Sequence, residues 1–295
     1  MKAAAVPVAV TRNRLSDLFV FTKVRVNVLV VATTAGGFYM ASPDSLNIAV
    51  LVATVIGTAL VAGGAAALNQ ISERDLDRLM DRTRNRPVAE GRMPLGDARL
   101  VAGACSLAGL ALLAITANAL ATLVAAATLV LYAFVYTPMK RMNSFSTVVG
   151  AVPGALPPMI GWAAARGTIE APAVALFLIV FLWQLPHFLA IAWLYREDYA
   201  RAGFPMLPVV DPDGASTARQ SLLYATALVP VSILPSALGL TGPIYAISAF
   251  VLGIAFVAMG IRFAVKRTKA NARLFFLTSL IYLPAVWIVM MIDRT

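Results

Sequence analysis

The sequence has little charge and few of the residues on which many enzyme sites are built. Only 13% of its 295 residues are charged, against about 25% in an ordinary soluble domain, and the mean hydropathy is +0.82. These values exclude a water-soluble globule, a disordered chain, a collagen-like chain and a coiled coil. Cys105 is the only cysteine, which excludes a disulfide framework and a cysteine metal cluster. His187 is the only histidine, which excludes a zinc site built from several histidines.

What the sequence has instead is a series of nine long apolar runs. Each is close to the roughly 20 residues that a helix needs to cross about 30 Å of hydrocarbon. The runs are continuous, whereas the strands of a membrane barrel are shorter and alternate apolar with polar residues. The sequence therefore predicts an all-α, polytopic membrane bundle of nine transmembrane helices in a single domain, residues 1–295. The predicted spans are 24–41, 48–68, 100–117, 119–137, 146–165, 172–195, 222–240, 243–265 and 274–292.

The distribution of positive charge predicts the orientation of this bundle. All of the 24 lysines and arginines except Arg166 and Arg294 fall on one side of it. Cytoplasmic loops carry such an excess, so the net charge of +10 indicates cationic cytoplasmic loops rather than nucleic-acid binding. Nine spans then give a cytoplasmic N-terminal tail, residues 1–17, and an external C-terminus. Two long charged loops, 69–99 and 196–221, lie on the cytoplasmic side, and because long ordered loops are usually functional, we expect the active site there.

The first of these loops contains four polar residues at intervals of four: Asn69, Glu73, Asp77 and Asp81. On a helix this spacing places them along one face. Like charges at this spacing destabilise an isolated helix, so their presence indicates a role other than stability. Oxygen ligands on one face suit Mg²⁺, which typically takes one or two carboxylates together with substrate phosphates, and the arginines between them match phosphate oxygens. The alternative is a solvated helix in which Arg74 and Arg78 neutralise these acids.

The acidic motif resembles that of a known family of membrane enzymes. Asn69-x₃-Glu73-x₃-Asp77 is similar to the first acidic motif of the UbiA superfamily of intramembrane prenyltransferases, whose usual form is Asn-Asp-x₂-Asp-x₃-Asp. The longer string from Asn69 to Gly91 resembles the haem-modifying branch of that superfamily. Three further stretches, which together extend over most of the chain, agree with that branch: Thr22-Lys23-x-Arg25-Val-Asn27; Tyr136-Thr-Pro-x-Lys140-Arg141 with residues 150–162; and Trp183-x₂-Pro186-His187-Phe188 with residues 195–208.

The sequence also departs from the superfamily pattern. Gln70 stands where the superfamily often has aspartate, and Glu73 replaces the next aspartate. The second superfamily motif, Asp-x₃-Asp, is absent. Near its expected place the sequence has other polar residues: His187, Glu197, Asp198, Asp211 and Asp213. The resemblance to the haem-modifying branch implies this change.

The resemblance implies a reaction and its participants. A farnesyl group is transferred from farnesyl diphosphate to a vinyl group of protohaem IX (haem B), giving haem O and diphosphate. Mg²⁺ is the implied cofactor, the inner membrane of a bacterial cell the implied location, and a downstream haem-modifying membrane enzyme an implied partner. Such a reaction needs positioning and electrostatic stabilisation rather than a covalent enzyme intermediate, and the sequence has no plausible Ser-His-Asp or Cys-His set.

The same resemblance assigns roles to individual residues. The predicted metal ligands are Glu73, Asp77 and Asp81. The predicted catalytic residues are Asn69, Glu73, Asp77 and Lys140. The predicted substrate-binding residues are Arg25, Arg86, Arg141, His187 and Asp198. Lys23 and Arg25 lie at the cytoplasmic mouth of the first span, where they either contact the diphosphate or anchor the helix at the membrane interface. The same alternative applies to Lys140 and Arg141.

His187 and the overall function each leave alternatives open. An ionisable side chain within a span is a functional candidate and imidazole is a common haem-iron ligand, so His187 is interpreted as an axial haem ligand, another polar contact in the substrate pocket, or a structural residue. A prenyltransferase for an aromatic or quinone precursor is the second functional hypothesis. A secondary transporter is the third, although transporters bind at mid-membrane and the charges here gather at one end.

Overall fold

The computed structural model describes residues 14–295, so most of the predicted tail, residues 1–13, lies outside the described residues. The described part is helical, with no β-strand and one isolated β-bridge between Thr241 and Arg294. One π-helical segment, Leu131–Tyr136, lies between α6 and α7. The α-helices are α1 (Arg14–Phe21), α2 (Val24–Met40), α3 (Ile48–Asp77), α4 (Pro87–Glu90), α5 (Leu95–Thr116), α6 (Ala119–Val130), α7 (Thr137–Met139), α8 (Ser146–Ala155), α9 (Pro157–Arg166), α10 (Ala171–Leu194), α11 (Arg196–Arg201), α12 (Leu207–Val210), α13 (Ala215–Ala237), α14 (Pro243–Val265) and α15 (Lys269–Ile292).

The predicted membrane bundle is confirmed. Within residues 14–295, eight helical segments are long and apolar enough to cross a membrane, and the bent pair α1–α2 makes a ninth if it counts as one span. Residues of α6 to α7 form one of these spans and residues of α8 to α9 another. The chain is therefore a multi-pass, all-α membrane protein.

Three spans are interrupted. The first bends by 51° between α1 and α2, at Thr22 and Lys23. The fourth passes through the π-helical segment, a geometry that is often found at functional sites. The fifth divides at Leu156, just before Pro157 and Pro158, whose missing N–H groups break the helical hydrogen-bond ladder. The first two interruptions adjoin the candidate site.

Helix α3 differs from its predicted boundary in a way that matters for the site. The first loop was expected to begin at Asn69, but α3 continues to Asp77. The charged side chains of this last part can remain helical because Glu73 and Asp77 find cationic partners on other segments. The predicted second loop, 196–221, is likewise largely helical, because α11, α12 and the start of α13 fall within it.

Two helices in the middle of the bundle cross at very short distance. A Cβ atom added to Gly161 on α9 would lie 2.0 Å from the carbonyl oxygen of Thr34 on α2, and one added to Gly37 on α2 would lie 2.2 Å from that of Pro158 on α9. Small residues allow such close backbone approach between membrane helices. This contact fixes α2, and with it the break in the first span, against the centre of the bundle.

The connections after α3, α7, α10 and α14 lie at one end of the bundle, which we call the charged end. Ion pairs join them to one another or to adjacent helix ends, as in Arg201–Asp81 and Lys269–Glu197. At the opposite end, Arg294 donates to the carbonyl oxygens of Tyr39 and Ser42, and Arg166 donates to that of Ala41. The division of cations between two sides that the sequence predicted is thus present in the fold.

Candidate active site

A buried ion pair between Glu73 and Lys140 forms the centre of the candidate site. Glu73 is 2% exposed and lies on α3, one turn before its end, while Lys140 follows α7. The Lys140 ammonium donates to Glu73 Oε1 at 2.8 Å. Burial acts to lower the pKa of Lys140, but the charge and hydrogen bond of Glu73, together with Tyr199 and Tyr132, raise it, so the net pKa is above that of an ordinary lysine. The lysine is therefore held as a cation inside the protein.

A second ion pair, between Asp77 and Arg86, lies one helical turn further along α3. Asp77 is fully buried, and one guanidinium nitrogen of Arg86 donates to both of its carboxylate oxygens at 2.8 Å. Thr83 donates its hydroxyl to the Asp77 carbonyl, which folds the chain after α3 back so that Arg86 reaches the carboxylate. The solvated-helix alternative is not what forms, because Arg74 and Arg78 pair with exposed Asp75 instead.

Asn69 and Lys23 extend the site toward the first span. The Lys23 ammonium donates to Asn69 Oδ1 at 3.0 Å, and Asn69 Nδ2 donates to the Thr137 hydroxyl at 3.2 Å. Asn69 is 2% exposed. The amide therefore connects the break between α1 and α2 with the segment that carries Lys140.

Together these residues form a polar cluster of two buried carboxylates and three partly buried basic side chains, which we call the α3 cluster. It consists of Lys23, Lys140, Arg86, Glu73 and Asp77, with Asn69 between them. Aromatic rings border it, since the Lys140 ammonium lies 4.9 Å from the centre of the Phe204 ring and 5.6 Å from that of Tyr136. Forked and ammonium donors of this kind bind phosphate oxygens.

Asp81 does not join the α3 cluster. Because α3 ends at Asp77, the spacing of four no longer keeps Asp81 on the same face. Its side chain is 61% exposed and pairs with Arg84 and Arg201. Within residues 14–295, no three acidic, histidine or cysteine side chains gather in a group that could hold a metal ion. Glu73 and Asp77 remain as carboxylates suited to Mg²⁺, which needs no more than one or two when substrate phosphates complete its shell.

The other predicted substrate-binding residues on the charged end lie around the cluster rather than in it. Asp198 accepts from the backbone N–H of Arg82 at 3.3 Å and pairs with Arg201, so it joins the two connecting segments. Arg141 donates to the Ser72 carbonyl at 2.6 Å, and Arg25 is exposed at the start of α2. Asp211, noted near the expected second motif, accepts from the N–H and the hydroxyl of Thr217 and thus caps α13.

His187 lies on α10 in an aromatic environment apart from the α3 cluster. Its ring stacks on Trp183 with centres 4.8 Å apart and packs on Phe276 at 5.0 Å. Its Nδ1 is 2.7 Å from the Ser279 hydroxyl oxygen, and that hydroxyl donates to the Phe276 carbonyl at 2.6 Å. Because the single hydroxyl hydrogen is used in this way, Nδ1 carries the hydrogen shared with Ser279 and Nε2 keeps its lone pair.

One cavity reaches Tyr136 beside the cluster, and a second adjoins the first. The smaller, of about 40 Å³, is lined by Tyr136, Tyr199 and Phe188 among others. The larger, of about 370 Å³, is bounded by the first turns of α8 and α13, with α10 between them. Thr147 lines both cavities, so the larger space adjoins the one that reaches the Lys140 side of the site. Its volume falls in the range of small-molecule pockets.

Comparison with known proteins identifies the family. The model of the UbiA prenyltransferase family matches residues 29–282. The protoheme IX farnesyltransferase of Solibacter usitatus (strain Ellin6076) is 46% identical over 289 residues, which cover 95% of this chain and 99% of that protein. That of Koribacter versatilis (strain Ellin345) is 41% identical over the full length of both chains.

The chain belongs to the UbiA prenyltransferase family. It is a membrane prenyltransferase, and its fold is that of solved UbiA proteins. A digeranylgeranylglyceryl phosphate synthase has a TM-score of 0.79 at 18% identity, with 95% of this chain and 98% of that one covered. A UbiA homologue from Archaeoglobus fulgidus bound to DMAPP and Mg²⁺ has a TM-score of 0.70 at 16% identity, with 93% and 99% covered.

Some residues of this UbiA site were not assigned a role from the sequence. Thr137 contacts Asn69, and Tyr199 accepts a hydrogen bond from Arg82 at 3.0 Å, while the Arg82 guanidinium also lies 5.1 Å from the centre of the Tyr195 ring. All of these lie within the stretches that carry the family resemblance, so the signal was present. What the sequence lacked was the pairing, because the partners are separated by 68 and 117 positions.

Proposed function

We propose that the chain transfers the farnesyl group of farnesyl diphosphate to a vinyl group of protohaem IX, giving haem O and diphosphate. The observation that carries the proposal is the α3 cluster, in which three partly buried cations surround two buried carboxylates beside aromatic rings at one end of the bundle. Relatives at 41–46% identity over nearly the whole chain are protoheme IX farnesyltransferases, which supports the choice of haem as acceptor.

Glu73 and Asp77 are the residues that would hold Mg²⁺. They fit the ion because they are hard oxygen donors one helical turn apart, and because the cluster's cations can turn from them to phosphate oxygens. When bound, Mg²⁺ supplies charge that stabilises the departing diphosphate. Asp81 is left out of this assignment, because its carboxylate is on the surface with two arginine partners.

The chain's own residues bind and orient the diphosphate. Lys140, Arg86 and Lys23 donate to its oxygens, and Asn69 orients Lys23 through their hydrogen bond. The allylic C–O bond breaks with its electron pair leaving on the diphosphate, and the farnesyl cation forms a C–C bond with the terminal vinyl carbon. Water then adds to the cation left on the other vinyl carbon and loses a proton, which gives the hydroxyethylfarnesyl group. Positioned charge lowers the barrier at the ionisation step.

The acceptor binds on the α10 side of the site. The 370 Å³ cavity offers an apolar space that shares Thr147 with the cavity at Tyr136. His187 does not line this cavity but lies on the side of α10 that packs against Phe276 and Ser279 of α15; it would contact the haem from that side, where its Nε2 lone pair suits iron. Ser279 supports this role because its hydroxyl sets which ring nitrogen carries the hydrogen, as partners of metal-bound histidines commonly do.

The charged end faces the cytoplasm in this proposal. It carries nearly all of the basic residues, which favours the cytoplasmic side, so the N-terminus is cytoplasmic, the C-terminus is external and the membrane is the inner membrane of a bacterial cell. The active-site segments 69–99 and 196–221 belong to one domain, residues 1–295, and haem O passes to a downstream haem-modifying membrane enzyme.

Transfer assays with purified protein test the reaction. The protein in detergent receives labelled farnesyl diphosphate, Mg²⁺ and one acceptor at a time: protohaem, a quinone precursor or an aromatic acid. We expect label in the porphyrin fraction with protohaem alone, and none when Mg²⁺ is chelated. Label in the aromatic acid or quinone precursor, with none in porphyrin, would contradict the proposed acceptor and favour the second hypothesis.

A further inference from the structure

The break in the first span is held by side-chain amides. Gln70 is 1% exposed, and its Nε2 donates to the carbonyl oxygens of Val20 at 3.1 Å and Phe21 at 2.8 Å. Asn27 Nδ2 donates to the next carbonyl, that of Thr22, at 2.8 Å. Carbonyls at a helix end lack their helical partners. The two amides supply donors to the carbonyls of Phe21 and Thr22, and Gln70 adds a second donor to that of Val20, which also accepts from the Lys23 N–H.

Lys23 lies at this break in an unusual backbone conformation. With φ 51° and ψ 44° it is left-handed, and it is the one non-glycine residue with positive φ in the described part of the chain. A side chain makes this conformation unfavourable, and it persists where the surroundings hold it. Two adjacent residues of α3 hold Lys23 in this conformation. Gln70 donates to the backbone carbonyl of Phe21, just before Lys23, and Asn69 accepts from the Lys23 ammonium.

We propose that Gln70 is a positioning residue that fixes the break so that Lys23 presents its ammonium to the diphosphate. The inference rests on the proposed function, because the diphosphate is the anion that Lys23 is held to meet. An aspartate at position 70, which the superfamily often has, could donate no hydrogen to these carbonyls when ionised and would repel them. The change to glutamine therefore replaces an acid by a donor that orients a cation.

The orientation of the Gln70 amide agrees with this role. Both of its near partners are acceptors, so its nitrogen must face them, and its buried Oε1 has no hydrogen-bond partner in the structure. A buried acceptor without a partner costs free energy. The amide is therefore arranged for the two bonds that Nε2 makes at the break.

The test compares two glutamines that make the same kind of bond. Gln184 is 4% exposed, and its Nε2 donates to the carbonyls of Ala151 and Val180 at 3.2 and 3.1 Å, but it holds no cation. The affinity of purified Gln70→Met and Gln184→Met for farnesyl thiodiphosphate, a slowly reacting analogue, is measured by calorimetry. We expect Gln70→Met to lose at least tenfold in affinity and Gln184→Met to stay within twofold of the wild type.

A double-mutant cycle with Lys23 tests whether Gln70 acts through it. Lys23→Met should weaken analogue binding, and Gln70→Met should add less than twofold in that background, since coupled residues are not additive. Asn27→Ala should give a smaller loss that also disappears with Lys23→Met, which keeps the test available if Gln70→Met does not fold. The inference would be overturned if the loss of affinity in the double variant equalled the product of the two single losses. It would also be overturned if Gln70→Met and Gln184→Met lost the same affinity. A wild-type protein that binds no analogue would instead overturn the proposed function.

Discussion

At the scale of single residues, the carboxylates of the α3 cluster are too costly to be explained by stability. Burying an ion pair removes both charges from water, and apolar replacements of such pairs are often neutral or stabilising, whereas removing one partner costs about 3–5 kcal/mol. Glu73 and Asp77 are nevertheless 2% and 0% exposed, each with a cation within 2.8 Å. Their burial is explained if the paired cations turn to the diphosphate when the substrate binds, which leaves the carboxylates free to bind Mg²⁺.

The first prediction concerns Asp77. Asp77→Asn preserves the shape of the side chain but removes its charge, so we expect farnesyl transfer to fall by well over tenfold and added Mg²⁺ to restore little of it. Asp75→Asn is the matched control, because Asp75 lies two positions earlier on α3 with a side chain 68% exposed. It should transfer at nearly the wild-type rate. Near-normal transfer by Asp77→Asn, measured with labelled farnesyl diphosphate, would remove this residue from the site.

The second prediction concerns His187. Because it is the only histidine, a change in the haem spectrum is simple to attribute. His187→Ala should weaken protohaem binding and shift the Soret band of the complex, while affinity for farnesyl thiodiphosphate changes much less, since the contacts of the diphosphate lie on the α3 cluster. An unchanged haem spectrum together with lost affinity for the analogue would place His187 at the diphosphate instead.

At the scale of helices, the sequence predicted which helices form better than it predicted where they begin and end. Residues 243–265 were predicted without error, because a proline at the start and cations at the end bound one apolar run. The end of α3 was missed, since hydropathy falls at Asn69 although the helix continues. The charged end of α3 can be buried because Lys140 and Arg86 pair with its carboxylates. Lys140 lies 67 positions further along the chain, and Arg86 lies in the segment that follows the helix. The break at Lys23 was missed for the same reason, because Gln70 stabilises it from 47 positions away.

The site was predictable to the same degree. The spacing of Asn69, Glu73 and Asp77 holds on the observed helix, and the family resemblance brought in Lys140 and Arg86. Asp81 lies outside the cluster because the spacing argument requires a helix that has already ended. Nothing in the sequence around Thr137 indicates that it contacts Asn69, so the motifs alone could not predict this pair.

The third prediction belongs to the two connecting segments that close over the site. Arg82 of the first segment donates to Asp198 and Tyr199 of the second, and Arg201 of the second pairs with Asp81 of the first. Asp198→Asn should weaken this contact and speed hydrogen exchange in residues 78–86 and 196–206. Glu197→Gln is the control, because this neighbouring acid is exposed and pairs with Lys269; exchange there should stay near the wild type. Equal exchange in both variants would show that the segments are held by other contacts.

At the scale of the whole molecule, the two ends of the bundle differ in charge and in connections. The charged end carries the cluster and the long segments, whereas the opposite end is held by short contacts such as those of Arg166 and Arg294 with backbone carbonyls. This asymmetry predicts where soluble substrates enter: farnesyl diphosphate approaches the charged end, and the apolar chain and haem lie among the helices.

The fourth prediction concerns the side of the membrane on which each end of the bundle lies. A reporter inserted in residues 85–91 should be cytoplasmic, and one fused after Thr295 should be external, because nine spans place these points on opposite sides. Within residues 85–91 the insertion is placed between Glu90 and Gly91, which are exposed, because residues 87–89 are buried; exposed sites and chain ends tolerate such additions. Reporter activity in the reverse pattern would invert the proposed orientation and place the site outside.

The central claim is that this chain makes haem O, and the porphyrin it produces in a cell tests that claim most directly. The chain is expressed in a host that cannot make haem O, and the extracted haems are separated and weighed by mass spectrometry, with Glu73→Gln expressed in parallel. The account predicts hydroxyethylfarnesyl haem with the wild-type chain and almost none with Glu73→Gln. Protohaem alone from a well-expressed wild-type chain, or equal haem O from both chains, would contradict it.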